Sequence, residues 1–122
     1  MADLEKGLWG SNVTDSNEPT ISHAFVTAMA KGDTGAKPGH FAIKGGNAQA
    51  GELTTYWDGP RPTLLDYSPM KKQGAIILGV GGDNSDGSAG TFYEGVIVAG
   101  YTTDAADNAV QANIVAAGYA LK

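Results

Sequence analysis

The densest chemistry in the 122-residue chain lies in Gly79-Val80-Gly81-Gly82-Asp83-Asn84-Ser85-Asp86-Gly87. This run follows the most continuously apolar stretch, Ala75-Ile76-Ile77-Leu78, and precedes Thr91-Phe92-Tyr93-Glu94-Gly95-Val96. A phosphate-cradling loop would need its glycines to open a helix, with a P-loop lysine or a third fingerprint glycine; position 84 is Asn and the next element reads as strand, so that reading fails. A calcium loop would run from Asp83 to Glu94, but Gly87 and Ser88 stand where a ligand and the turn glycine belong, and flanking helices are missing. Two readings remain. One is a β-hairpin whose Asp86-Gly87 pair supplies the turn. The other is a carboxylate held at the end of a buried strand, where Gly81 and Gly82 let a ligand approach the backbone and Asp83 points into a cleft. Partial burial would raise the Asp83 pKa and make it a usable general acid.

Acid-assisted cleavage of a glycosidic bond needs a second carboxyl facing the first across the sugar. Glu94, Asp58, Glu5 and Asp3 are the candidates, each equally readable as solvated or locally hydrogen-bonded. Ser22 with His23 or His40 and any Asp could be assembled into a nucleophilic triad, but no nucleophile-elbow motif accompanies them. Trp9, Tyr56, Trp57, Phe92, Tyr93 and Tyr101 could stack on sugar faces or fill a core. There is no cysteine. A thiolate zinc site, a Cys nucleophile and a disulfide framework are thereby excluded, and no metal or organic cofactor is implied.

The elements that must carry these residues read as antiparallel sheet. Eighteen glycines punctuate short runs rich in β-branched and aromatic residues, which is the pattern of short strands and turns. Strands are expected over Asp3–Trp9, Ser22–Lys31, His40–Lys44, Leu53–Trp57, Ala75–Val80 and Thr91–Ala99, with Asp58–Met70 and its three prolines as a long ordered surface loop. Ala75-Ile76-Ile77-Leu78 lacks alternation and so reads as covered on both faces, as a central sandwich strand would be. Near the end the period changes: Val110, Ile114 and Ala117 recur at helical spacing, Thr103 can cap the first turn, Asp104 and Asp107 suit the positive end of the helix dipole, and Gly118 can stop the helix. The expectation is one all-β domain over residues 1–122 with one short C-terminal helix. Thirteen acidic against eight basic residues give a net charge of −5, and with no basic run this argues against nucleic acid or acidic membranes as partners. The first residues lack the basic start and apolar core of a signal peptide, no segment has the apolar length of a spanning helix, and Asn12-Val13-Thr14 is an N-glycan triplet of the kind that arises by chance.

Several segments together resemble one family. They are Met1-Ala2-Asp3-Leu4-Glu5, Ile43-Lys44-Gly45-Gly46-Asn47-Ala48, Tyr56-Trp57-Asp58-Gly59-Pro60-Arg61-Pro62, and Pro69-Met70-Lys71-Lys72-Gln73-Gly74 continuing through Ala75-Ile76-Ile77-Leu78 to Gly79-Val80-Gly81-Gly82-Asp83-Asn84-Ser85. The likeness continues through Gly90-Thr91-Phe92-Tyr93-Glu94-Gly95 and Asp107–Ala117, spanning nearly the whole chain. In these residues the sequence is similar to the α-L-arabinofuranosidase B family, glycoside hydrolase family 54. The resemblance implies the C-terminal part of a concanavalin-like antiparallel β-sandwich catalytic domain, secreted, removing terminal α-L-arabinofuranosyl units from plant polysaccharides with retention of configuration. It implies that Asp83 is the acid/base, that the Gly82 backbone contacts the sugar, and that Asn84 supports the site. The family's nucleophilic Glu belongs to a segment upstream of the Met-Ala-Asp-Leu-Glu stretch at which this sequence starts, so a retaining mechanism would need that group from elsewhere, as from a second chain carrying the N-terminal half. A different class of function stays open beside it: a non-catalytic sandwich that forms a homo-oligomer or binds glycan.

Overall fold

The computed structural model describes residues 2–3, 7–8, 21–33, 35, 39–60 and 90–121. Ala2–Asp3 (β1) and Gly7–Leu8 (β2) pair antiparallel, Ala2 opposite Leu8 and Asp3 opposite Gly7. The single strand expected over Asp3–Trp9 is therefore replaced by two short ones that pair with each other. Glu5-Lys6-Gly7 interrupts the apolar pattern that one continuous strand requires.

The main sheet is an antiparallel meander of Val26–Asp33 (β3), His40–Asn47 (β4) and Thr54–Pro60 (β5), with β4 in the centre. Each expected strand in this part exists, shifted or extended towards its C-terminal end. The expected Asp58–Met70 loop accordingly begins later, since Asp58 to Pro60 finish β5 and the remainder lies outside the described residues. The central position explains why Ala42 and Ile43 are the most deeply buried apolar residues of the sheet. The register places Lys31, Ala42 and Asp58 in one cross-strand row and Met29, Lys44 and Thr55 in the next. These rows share a face, because directly opposed residues point the same way.

Between Ile43 and Lys44 the β4–β5 register slips: Trp57 lies opposite Ile43 and Thr55 opposite Lys44, leaving Tyr56 as the extra residue of a bulge. Tyr56 then reaches the same region as Ile21 and the Gly45 backbone. A Cβ on Gly45 would come within 2.9 Å of Ile21 Cδ1 and 3.0 Å of Tyr56 Cε2. At the turn after β4, Asn47 Oδ1 accepts from Gln49 N at 2.9 Å, and Gly51 takes φ +82°, a conformation that side chains with a Cβ disfavour.

The helix α1 runs over Asp104–Ala116. Thr103 caps it as the sequence predicts, its hydroxyl accepting from Ala106 N at 3.2 Å, and Gly118 follows at φ +73°. The buried face differs from expectation. Val110, Ile114 and Ala117 are only partly covered or exposed, whereas Asp107 and Gln111 are almost wholly buried. The helix docks on the sheet through its polar side, since two lysines of β3 and β4 occupy the sheet face it meets.

The run Thr91–Ala99 is not a strand. It is irregular, and Phe92, Tyr93, Val96, Ile97 and Val98 are all more than half exposed. High β-propensity makes a strand only where a neighbour accepts the ladder, and no described strand pairs with this run. The expected strand Ala75–Val80 lies outside the described residues. In class the fold is mostly antiparallel sheet with one short C-terminal helix, as expected.

Candidate functional site

The strongest concentration of polar chemistry among the described residues sits where α1 meets the sheet. Lys31 Nζ lies 2.7 Å from Asp107 Oδ2, 3.3 Å from Asp104 Oδ1 and 3.0 Å from the Thr102 carbonyl. Lys44 Nζ lies 2.8 Å from Asp107 Oδ2 and 2.6 Å from Asp104 Oδ1. The Thr102 hydroxyl donates to Asp107 Oδ1 at 2.5 Å. Side chains of Lys31, Lys44 and Asp107 are 5 % exposed or less, while Asp104 stands in solvent.

Burial opposes ionisation of Asp107, but hydrogen bonds from Lys31, Lys44 and Thr102 outweigh it and hold the carboxyl at about 2. Burial likewise works against the charge on Lys44, and bonds to Asp104 and Asp107 reverse that and raise its pKa. Hydrogen bonds from Lys44 and Lys31 lower the pKa of Asp104. Two cations and two anions thus balance, with charge-assisted bonds satisfying the buried groups. Such a group is fixed in one protonation state around neutrality, which suits a structural clamp and not proton transfer.

A second cluster lies on the same sheet face towards the start of β4. His40 Nε2 and Asp58 Oδ1 are 2.7 Å apart, and the His40 ring is 5.3 Å from that of Tyr101. Lys31 Nζ sits 4.4 Å above the Tyr101 ring, a cation–π contact. Burial, then the nearby Asp58 charge, raises the Tyr101 pKa. A third group joins Phe25, Tyr93 and Tyr119, with the Tyr119 hydroxyl donating to Glu94 Oε1 at 2.6 Å.

The three residues expected at the site, Asp83, Gly82 and Asn84, lie outside the described residues, as does Glu5. Of the candidate second carboxyls, Glu94 is exposed and bonded to Tyr119, and Asp58 is paired with His40. Each therefore has a local partner of the kind the plainer sequence reading allows. Ser22 and His23 are exposed at the approach to β3, and His40 binds an aspartate on β5, so the described residues bring no Ser-His-Asp set together. Sequence reasoning placed Asp104 and Asp107 at the helix start but missed their partners. The signal available was two lysines in otherwise small, apolar strands, Lys31 and Lys44, each a poor fit to a covered sheet face unless an acid meets it.

With this geometry in hand, comparison with known proteins is decisive. A family model described as alpha-L-arabinofuranosidase B, catalytic, matches residues 1–120. The chain belongs to this family. An alpha-L-arabinofuranosidase of Hypocrea jecorina is 55 % identical over 99 % of the chain and 24 % of its own length. Among solved structures, a mutant GH54 α-L-arabinofuranosidase soaked with 4-nitrophenyl α-L-arabinofuranoside superposes with a TM-score of 0.72 at 54 % identity, covering 85 % of this chain and 21 % of that one. An arabinofuranosidase complexed with arabinofuranosyl-α-1,2-xylobiose gives 0.78 at 49 % identity, covering 95 % and 24 %. This arabinofuranosidase-family chain thus spans about a quarter of the length of the relatives it matches, and its fold is theirs over that part.

Proposed function

We propose that the chain is the acid/base-bearing part of a retaining α-L-arabinofuranosidase that acts on arabinose-containing plant polysaccharides outside the cell. The observation that carries this is the family match over residues 1–120, which includes the Gly81-Gly82-Asp83-Asn84 motif. In the first step the Asp83 carboxyl protonates the departing glycosidic oxygen while a glutamate from outside this chain attacks the anomeric carbon, giving a covalent arabinosyl intermediate. In the second step Asp83, now a carboxylate, takes a proton from the water that releases arabinose. The Gly82 backbone contacts the sugar, and Asn84 supports Asp83 in the pocket. The nucleophile is supplied by the remaining part of the catalytic domain, as the same polypeptide or as a second chain.

The test is arabinose release from 4-nitrophenyl α-L-arabinofuranoside by the chain alone and by the chain combined with the N-terminal part of a relative's catalytic domain. Activity should appear only in the combination and fall at least about a hundredfold with Asp83→Asn, the usual contribution of general acid–base catalysis. Combined activity unaffected by that substitution would remove Asp83 from its role.

One observation favours a second reading, a non-catalytic sandwich that assembles with itself: Phe92, Tyr93, Val96, Ile97 and Val98 form an exposed apolar run with no described strand beside it. Sedimentation of the purified chain separates the two, since a stable monomer would count against self-assembly.

A further inference from the structure

Where β3 meets α1, two polar side-chain atoms are buried and have no hydrogen-bond partner among the described residues: Thr27 Oγ1 on β3 and Gln111 Oε1 on α1. Gln111 is 1 % exposed and Thr27 7 %. Any chain packed around this part can only deepen that burial. Gln111 Nε2 donates to the Asn47 carbonyl at 2.8 Å and to the Gly51 carbonyl at 3.3 Å, which engages both amide protons and fixes the other end of the amide as the oxygen. Gln111 Oε1 is thus an acceptor without a donor, and the Thr27 hydroxyl a donor without an acceptor. Buried groups left in that state carry their full desolvation cost, so each calls for a partner.

The two atoms flank one glycine. Thr27 stands directly opposite Gly46 in the β3–β4 register, and opposed residues share a face. On that face a Cβ at Gly46 would lie 3.6 Å from Gln111 Nε2 and 3.0 Å from the Glu52 carbonyl oxygen. With hydrogen in place of a side chain, Gly46 leaves room between Thr27 and the Gln111 amide. We infer that a buried water molecule is bound over Gly46, accepting from the Thr27 hydroxyl and donating to Gln111 Oε1, with the Glu52 carbonyl placed for its second proton. Water matches the site because the side chains present one donor and one acceptor, and a buried water takes two to four such partners. A metal cation does not match, since two uncharged oxygens fall far short of the shell a hard cation requires. The water joins β3 to α1 one helical turn beyond Asp107, next to the turn after β4 that Gln111 Nε2 holds.

The test is a crystal structure of the full chain at a resolution that shows ordered water, together with water–protein NOE spectra of the labelled chain. A single density peak within about 3.2 Å of both Thr27 Oγ1 and Gln111 Oε1 is expected, with cross-peaks from water to the Thr27 methyl and the Gln111 amide protons of the sign a long-lived water gives. Thr27→Val, which keeps the shape and deletes the donor, should lower the folding equilibrium constant in urea about fivefold, the scale of one hydrogen bond. In a Gln111→Met background, where the water has lost its acceptor, the same substitution should change that constant by less than about twofold. The crystal and the spectra need no substitution and decide the question even where Gln111→Met does not fold. The inference is overturned if the Thr27 hydroxyl is bonded directly to Gln111 Oε1 or to a backbone carbonyl, if no peak lies between the two side chains, or if Thr27→Val has the same effect in both backgrounds.

Discussion

Replacing Asp107 with Asn would leave the ammonium groups of Lys31 and Lys44 buried against the sheet with only the solvent-exposed Asp104 as counter-charge. In the folded chain Asp107 titrates at about 2 against an ordinary 3.8, and a displacement of just under two pH units corresponds to roughly 2 kcal/mol of folding stability. The folded-state value is the lower one, so this contribution is complete above pH 4 and disappears as the pH falls through about 2. The substitution removes more than that at neutral pH, because it strands two desolvated cations: about 3 kcal/mol, the lower end for breaking a buried pair, since Asn still offers one acceptor. Urea denaturation followed by circular dichroism at pH 7 and at steps down to pH 2 reads both effects. The gap between parent and Asp107→Asn should be near its full value at pH 7 and narrow below pH 4. Replacing the trio together, Lys31→Met, Lys44→Met and Asp107→Leu, should cost less than the separate losses summed. A gap under about 1 kcal/mol at pH 7, or one that does not change with acid, would refute the clamp.

Three further substitutions probe the scaffold. Thr103→Ala removes the cap acceptor for Ala106 N and should lower stability by about 1 kcal/mol, with Thr103→Ser restoring most of it in thermal melts. Gly45→Ala places a methyl 2.9 Å from Ile21 Cδ1 and 3.2 Å from the Thr27 carbonyl; it should destabilise by about 1–3 kcal/mol in urea, and a neutral outcome would mean that the bulge relaxes freely. Gln111→Leu deprives the Asn47 and Gly51 carbonyls of their shared donor and should cost about 1–3 kcal/mol, with amide exchange of residues 48–51 accelerating first.

What the sequence disclosed and what it concealed follow from the range of the forces involved. Turn residues and alternation act locally, so β3, β4, β5 and the Thr103-capped helix could be read within a few residues of their observed bounds. The same locality misread Thr91–Ala99, where composition is strand-like but a ladder partner is a non-local matter. It also put Val110 and Ile114 on the buried side of α1, because helical periodicity ranks apolar residues inward. The acid that is actually buried, Asp107, finds lysines more than 60 positions away, and no window of sequence contains both partners. Asp83 stands out because glycines and an apolar run surround it in sequence, whereas the contact of Phe25, Tyr93 and Tyr119 joins residues far apart along the chain.

The docking of α1 by ammonium and carboxylate also sets how the molecule comes apart. Detaching a helix held by ionic and amide hooks uncovers little oily surface, so its release carries a small heat-capacity change and depends weakly on temperature. The meander, built around Ala42 and Ile43, loosens with the ordinary curvature of apolar cohesion. As the pH falls from 4 towards 2 the C-terminal segment should therefore peel away as a unit while the three strands stay together, making it the first part that an acid-active protease can reach.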